Sequence, residues 1–558
     1  MKTDIEISRS TDAKPIGDIA EKLGLSADEW QPYGRHIAKV NLSVLDKPAR
    51  NKSNKGSKLI LVSAITPTPA GEGKTTMSIG LAQGFAKLNE SVCLALREPS
   101  LGPCMGIKGG ATGGGLSQVY PMERINLHFT GDFHAVTTAH NLLAAAFDNH
   151  IHFGNALGLD PRRTLWRRVI DMNDRSLRHI VVGLGGPLQG IPRETGFDIT
   201  AASEVMAILC LAENENDLRE RLDRTLVGFT RKKEPVTADK LNVSGAMLAL
   251  LSDAMNPNLV QTLEGVPALI HGGPFANIAH GCNSVIATKT ALHLADWVVT
   301  EAGFGFDLGA EKFFDIKCRS AGLDPAGVVL VATIRALKMH GGKEQNALNQ
   351  PDVDAVRAGL PNLDKHIESI RHFGQPPIVA LNKFGNDTDE EIRVVREHCT
   401  ELDVPFSISD HHAKGGEGAI DLAKTVMEQA RTHNTAYTPL YELSDPVPDK
   451  IRKVARTMYG ARDVVFTKAA ERDLADIERL GYEKLPVCIA KTQSSLSDDP
   501  KLRGRPDNFE VTVRGFQINA GAGFLVVLTG DIMRMPGLPR KPRAEDIDFR
   551  NGQIEGLQ

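Results

Sequence analysis

The feature that most constrains this chain is a run of eight residues, Thr68-Pro69-Ala70-Gly71-Glu72-Gly73-Lys74-Thr75, which fits the pattern G-x-x-x-x-G-K-[ST] everywhere except its first position. It follows Leu59-Ile-Leu-Val-Ser-Ala-Ile65, an apolar run of strand length, and opens a helical pattern that continues to Leu88. A strand that feeds a glycine-rich turn and then a helix aims backbone N–H groups at the space over the helix N-terminus, where the helix dipole already favours an anion. Gly71 and Gly73 permit the turn, Lys74 has the charge and reach for β- and γ-phosphates, and the Thr75 hydroxyl suits Mg2+. All eight residues are therefore expected to contact a nucleotide. A turn that merely joined strand to helix would need neither the lysine nor the threonine.

The segment 91–96 reads as a second buried strand, completing a β-loop-α-β unit of a parallel sheet. Apolar runs recur at Ile180-Val-Val-Gly183, Trp297-Val-Val-Thr300, Val328-Val-Leu-Val-Ala-Thr-Ile334 and Ile378-Val-Ala-Leu381. With helix-like segments between some of them, these predict α/β architecture throughout. Residues 1–57 read as a polar lead-in with short helices, and joints are expected in the charged stretch 213–240 and the proline-rich stretch 438–448.

The charge balance excludes some partners. With 65 Lys+Arg against 69 Asp+Glu, no global basic field draws the chain to nucleic acid or to an anionic membrane, so any anion must be held locally. No stretch reaches the roughly 18 uncharged apolar residues of a membrane span, and the N-terminus has no apolar run of signal-peptide length. The seven cysteines are scattered and form no CxxC pair. A soluble protein of a reducing cytoplasm is expected.

Arg97 and Glu98 follow the second strand and fall at the carboxyl edge of the sheet, where ligands bind in open α/β folds. An arginine there suits a bidentate grip on an acyl phosphate. Just beyond them, six glycines crowd the eleven residues from Gly106 to Leu116, which permits close backbone approach to a ligand. The histidines 128, 134, 140, 150 and 152 do not share a helix face at about 100° per residue, and they read as buried or pocket-lining side chains rather than a metal site. Asn382-Lys383 after a strand is similar to the N-K-x-D base reader of GTPases, but Gly385 stands where the Asp belongs. A GTP-driven switch and a non-catalytic nucleotide-binding module are the rival readings.

The glycine tract and Val331-Ala-Thr-Ile-Arg-Ala-Leu-Lys-Met-His-Gly-Gly342 resemble the two signature segments of the formate-tetrahydrofolate ligase family. The resemblance extends to Asn126–His134, Ile270–His280, Thr300–Gly305, Ala413–Gly418 and Thr529–Met533. It implies a P-loop NTPase-like domain at 58–365, a second α/β domain with folate-binding loops at 366–440 and a C-terminal α/β domain at 441–558, assembled as a homotetramer. The implied reaction joins formate to tetrahydrofolate at the cost of ATP with Mg2+, through formyl phosphate, and gives 10-formyltetrahydrofolate, ADP and phosphate in one-carbon metabolism. A response to a monovalent cation is also a family trait.

By the same resemblance, Lys74 and Thr75 hold ATP and Mg2+, Arg97 steadies the formyl phosphate, and Glu98, Phe384, Gly385 and His412 belong to the folate site. An aromatic pair usually sandwiches the pterin, and His412 stands here in place of the family's tryptophan opposite Phe384. Leu116 replaces a common tyrosine and Phe306 a small residue, substitutions expected to reshape the folate or nucleotide pocket. Chemically, formate must be activated before an amine attacks it, and phosphoryl transfer needs positioning and charge neutralisation rather than a protein nucleophile. A base for the amine proton is not evident; His128, His134, Asp132 and the released phosphate itself are the options.

Overall fold

A computed structural model describes residues 2–50, 56–106, 112–433, 435–530 and 532–557. Its centre is a twelve-stranded sheet. In chain order the strands are β1 (Trp30–Pro32), β2 (Ala38–Val40), β3 (Lys58–Ala64), β4 (Val92–Leu96), β5 (Gly113–Gly114), β6 (Ser117–Tyr120), β7 (Asn258–Thr262), β8 (Pro267–Ile270), β9 (Trp297–Glu301), β10 (Pro325–Ala332), β11 (Pro377–Asn382) and β12 (Phe406–Ser409). Seven neighbours in the order β8-β4-β9-β3-β10-β11-β12 run parallel. Antiparallel strands β7, β2 and β1 extend one edge, and β6 pairs with both β7 and β5.

The parallel strands are buried along nearly their whole length because helices cover both faces, which is why they read as unbroken apolar runs. From β3 the chain crosses through the Lys74–Lys87 helix to β4, leaving room for β9 between them; from β9 it passes back over β3 to β10. The carboxyl ends of β3, β9 and β4 therefore open side by side at a point where the winding reverses, the usual place for a ligand crevice.

The Lys74–Lys87 helix is buried from Met77 to Phe85. A β-carbon at Gly80 would lie 2.4 Å from Cβ of His411, and one at Gly84 would lie 2.8 Å from the Ala419 carbonyl oxygen. These two glycines let the helix lie directly on the segment that follows β12. Among the described residues beyond 460 there are three small sheets, one pairing Asp463–Phe466 with Glu510–Val513, one built from Val487–Ala490, Gly515–Asn519 and Phe524–Leu528, and a hairpin of Asp548–Arg550 with Gln553–Glu555. The second of these is tied to the large sheet's surroundings by the buried Lys491–Asp307 ion pair at 2.7 Å.

Two expectations change. The lead-in contains the short helices Asp4–Arg9 and Ile16–Lys22, but it also supplies β1 and β2. The run at Ile180 is not a buried strand: it forms a hairpin with Arg193–Thr195, with Val181 55% exposed, because three residues outside the main sheet have no second layer to cover them. Among the described residues, no helix is long and apolar enough to cross a membrane. All seven cysteines are free and buried.

Candidate active site

The loop after β3 is closed by its own side chains. Glu72 is buried, one carboxylate oxygen accepting the Thr68 N–H at 2.6 Å and the other the hydroxyl of Thr333. Asn382, at the end of β11, donates its amide to the Glu72 carbonyl at 3.0 Å. Gly71 and Gly73 have φ of +79° and +74°, the left-handed region that favours glycine. A β-carbon at Gly73 would also come within 2.5 Å of the Asn382 amide nitrogen, whereas Gly71 faces open space.

Pro69 and Ala70 form the exposed crest of this loop, Thr68 is buried, and Lys74 opens the helix half-buried. No side chain caps the helix at Gly73, so its first-turn N–H groups are not satisfied in that way. The buried Glu72 carboxylate shapes the loop from within, while the loop's backbone and Lys74 form its outer side. The Asn382 side chain is likewise held against the loop backbone.

Glu301, the last residue of β9 and 3% exposed, lies behind this loop. One carboxylate oxygen accepts the Thr75 hydroxyl at 2.8 Å, and the other stands 3.7 Å from the Arg97 guanidinium. Arg97 packs across Gly303, where a β-carbon would lie 3.0 Å from Nη1, and its Nε is buried without a hydrogen-bond partner. The hydroxyl of Thr300, one residue earlier, lies 2.8 Å from both the Ala95 carbonyl of β4 and the Asn283 side-chain oxygen, which share its single proton, and so holds β9 against the strand that carries Arg97.

Glu98 is buried, and its backbone carbonyl lies so close beneath Gly273 that a β-carbon there would collide with it. Burial, and then the neighbouring Asp132, push its carboxyl well above the usual range, and one carboxyl oxygen has no hydrogen-bond partner. Asp132 is engaged by the buried Lys39 at 2.8 Å and by the Asn258 amide at 2.7 Å. His128 and His134 are exposed. His140 bonds Ser203 and the Arg167 carbonyl and stacks on Trp166; burial lowers its pKa to about 3.

Phe384 and Gly385 follow β11, and His412 follows β12. Phe384 is half-buried, with the Arg335 guanidinium 4.0 Å from its ring centroid, and Gly385 is exposed with open space beside it. His412 is exposed and lies against the end of the glycine tract: its carbonyl accepts the Leu116 N–H at 2.9 Å, and its ring is 3.6 Å from the β-carbon position of Gly114. Leu116 and His412 are thus direct neighbours. Phe306 is not at a pocket; it is fully buried in a ring cluster with Phe314 and Phe373, inside a π-helical turn. Of the glycine tract, residues 107–111 lie outside the described residues.

A family model described as formate-tetrahydrofolate ligase matches residues 2–558. The chain belongs to that family. The family's reaction is an ATP-dependent ligation of formate to tetrahydrofolate. Neither Glu301 nor Arg335 stands out as a site residue in the sequence alone. The signal for Glu301 was a carboxylate closing an otherwise apolar buried strand at its ligand-facing end. Arg335 lies inside the second signature segment, where only its approach to Phe384 in space distinguishes it.

Proposed function

We propose that this chain makes 10-formyltetrahydrofolate for one-carbon metabolism, activating formate as formyl phosphate with ATP and passing the formyl group to tetrahydrofolate. The observation that supports this most is the meeting of Thr75 and Arg97 on one carboxylate, Glu301. A nucleotide site and an arginine suited to an acyl phosphate are neighbours, as a phosphoryl transfer to a small acid requires.

The domain we read at 58–365 is P-loop NTPase-like, with smaller α/β domains at 366–440 and 441–558, and the protein acts in the cytoplasm as a homotetramer. The outer side of the loop and Lys74 hold the β- and γ-phosphates. A threonine hydroxyl backed by a buried carboxylate fits Mg2+, which keeps most of its ligands as water and phosphate oxygens, and the ion supplies neutralisation of phosphate charge. A monovalent cation acts as an additional activator.

In the first step a formate oxygen attacks the γ-phosphorus, the bond to the β-phosphate oxygen breaks, and ADP leaves. Arg97 holds the acyl phosphate. In the second step N10 of tetrahydrofolate attacks the formyl carbon; Arg97, Lys74 and loop amides stabilise the oxyanion. The C–O bond to phosphate then breaks. The departing phosphate takes the amine proton, since Asp132 is tied to Lys39 and Asn258. Glu98, Phe384, Gly385 and His412 contribute to folate binding, with Arg335 braced against Phe384.

The test is ADP formation with formate present, with and without tetrahydrofolate, on the wild type and Lys74→Ala. Turnover that needs both formate and folate and disappears in the variant is expected. Equal ADP release without either substrate would mark a plain ATPase.

A further inference from the structure

We infer that Glu301 is a positioning residue that couples the nucleotide half of the site to the formate half, so that Mg·nucleotide and formate strengthen each other's binding. This rests on the ligase reading above. A carboxylate offers two acceptor oxygens, and Glu301 commits one to each half: Oε2 to the Thr75 hydroxyl at 2.8 Å and Oε1 to Arg97 at 3.7 Å. The residue is almost fully buried at the end of β9, and Thr300 locks that strand to β4 and to Asn283, so the carboxylate has little freedom to serve one side by moving.

The sign of the coupling follows from the two bonds. By accepting the Thr75 proton, Glu301 turns that oxygen's lone pairs outward, toward the position where the metal of Mg·nucleotide would be held. A cation on the Thr75 oxygen makes the hydroxyl a stronger donor, which concentrates the carboxylate's charge on Thr75. The Arg97 contact, already longer than a hydrogen bond, loosens further, and the guanidinium is more available to an incoming carboxylate. Coupling of this kind is reciprocal, so formate must tighten Mg·nucleotide by the same factor.

The isosteric Glu301→Gln tests this, because an amide has only one acceptor oxygen and cannot serve both partners. Calorimetry with Mg·ADP, in the presence and absence of saturating formate, reads the coupling without turnover. For the wild type, formate is expected to tighten Mg·ADP by about 5-fold or more, within the usual range for coupled sites. In Glu301→Gln the ratio falls to about one, while ADP without metal binds as in the wild type, which also reports that the variant is folded. Initial rates give the second reading: the KM for formate falls as Mg·ATP rises in the wild type and is constant in the variant. Glu301→Asp, which keeps the charge but is one methylene shorter, falls between the two.

A ratio of one in the wild type, or a ratio retained in Glu301→Gln, overturns the coupling while leaving the ligase intact. Absence of any Mg·ADP binding or of formate-dependent turnover in the wild type would overturn the ligase reading instead.

Discussion

The loop after β3 and the loops after β11 and β12 share one edge of the sheet, yet they are held in different ways. The loop after β3 is held by several buried contacts: Glu72 serves Thr68 and Thr333, Asn382 serves the Glu72 carbonyl, and Glu301 serves Thr75. After β11 and β12, Phe384 is braced by the Arg335 guanidinium and His412 lies exposed against Gly114 and Leu116. Phosphoryl transfer gains from groups fixed before the substrate arrives, whereas stacking on a flat ring tolerates a change of partner. The loop after β3 is therefore expected to tolerate substitution less than the loops after β11 and β12.

The strongest way to break the comparison is at the fixed end. Lys74→Ala is expected to lower formate-dependent ADP formation by roughly 10³-fold, the scale of removing one preorganised electrostatic contact. The same enzyme should still melt at nearly the wild-type temperature, because Lys74 is half-buried at the edge of the loop rather than in the core. Thermal unfolding together with steady-state rates measures both. A large loss of stability would mean that the lysine supports the loop instead of its ligand.

The next effect concerns the floor shared by the two regions. His411 lies between them, its Nδ1 bonded to Ser409 at 2.9 Å and its ring packed on Gly80 of the nucleotide helix. Burial, with the nearby His412, lowers its pKa from the ordinary 6.5 to about 4, although Asp410 pulls the other way. The folded state resists protonation that the unfolded state accepts, so this stability is present above pH 6.5 and is lost as pH falls toward 4. The loss is on the order of 3 kcal/mol by the usual conversion. Denaturant titrations between pH 7 and 4 should show that slope, and His411→Gln should flatten it.

Gly73→Ala should cost less, about 1 to 3 kcal/mol for a non-glycine residue forced into a left-handed backbone. The new β-carbon would also press on the Asn382 amide that holds the Glu72 carbonyl. ADP affinity should fall along with thermal stability. Gly71→Ala has the same backbone problem but open space around it, so it separates strain from collision.

Much of the fixed region was legible because short-range chemistry dictates it: an apolar strand, two glycines with positive φ and a Lys-Thr pair are contiguous in the chain. The parallel sheet followed from apolar runs that only two-sided burial explains, and the run at Ile180 misled because three apolar residues carry no information about what covers them. Glu301, Asn382 and Arg335 were not legible as partners of the site. Glu301 reaches Thr75 across 226 residues of chain and Asn382 reaches Glu72 across 310, while Arg335 and Phe384 lie on separate elements, in the helix after β10 and the loop after β11. Phe306 marks the converse error, since an aromatic next to a glycine-rich signature turns out to fill the core.

The smallest expected effect sharpens the comparison at the adaptable end. His412→Trp restores the larger ring, and base-type stacking gains of about 0.5 to 1.5 kcal/mol translate into a KM for tetrahydrofolate lower by a few-fold, with kcat unchanged. The substitution has to be accommodated beside Leu116, whose N–H bonds the residue's carbonyl, and beside Gly114 and Gly115, which leave no room for a β-carbon at Gly115. Leu116 and His412 touch, so substitutions at the two positions are expected to be coupled. Leu116→Tyr with His412→Trp should therefore gain more than the two single changes added, measured as a double-mutant cycle on the folate KM. If the two effects simply add, the histidine is an independent replacement and the loop after β12 is less adaptable than its exposure suggests.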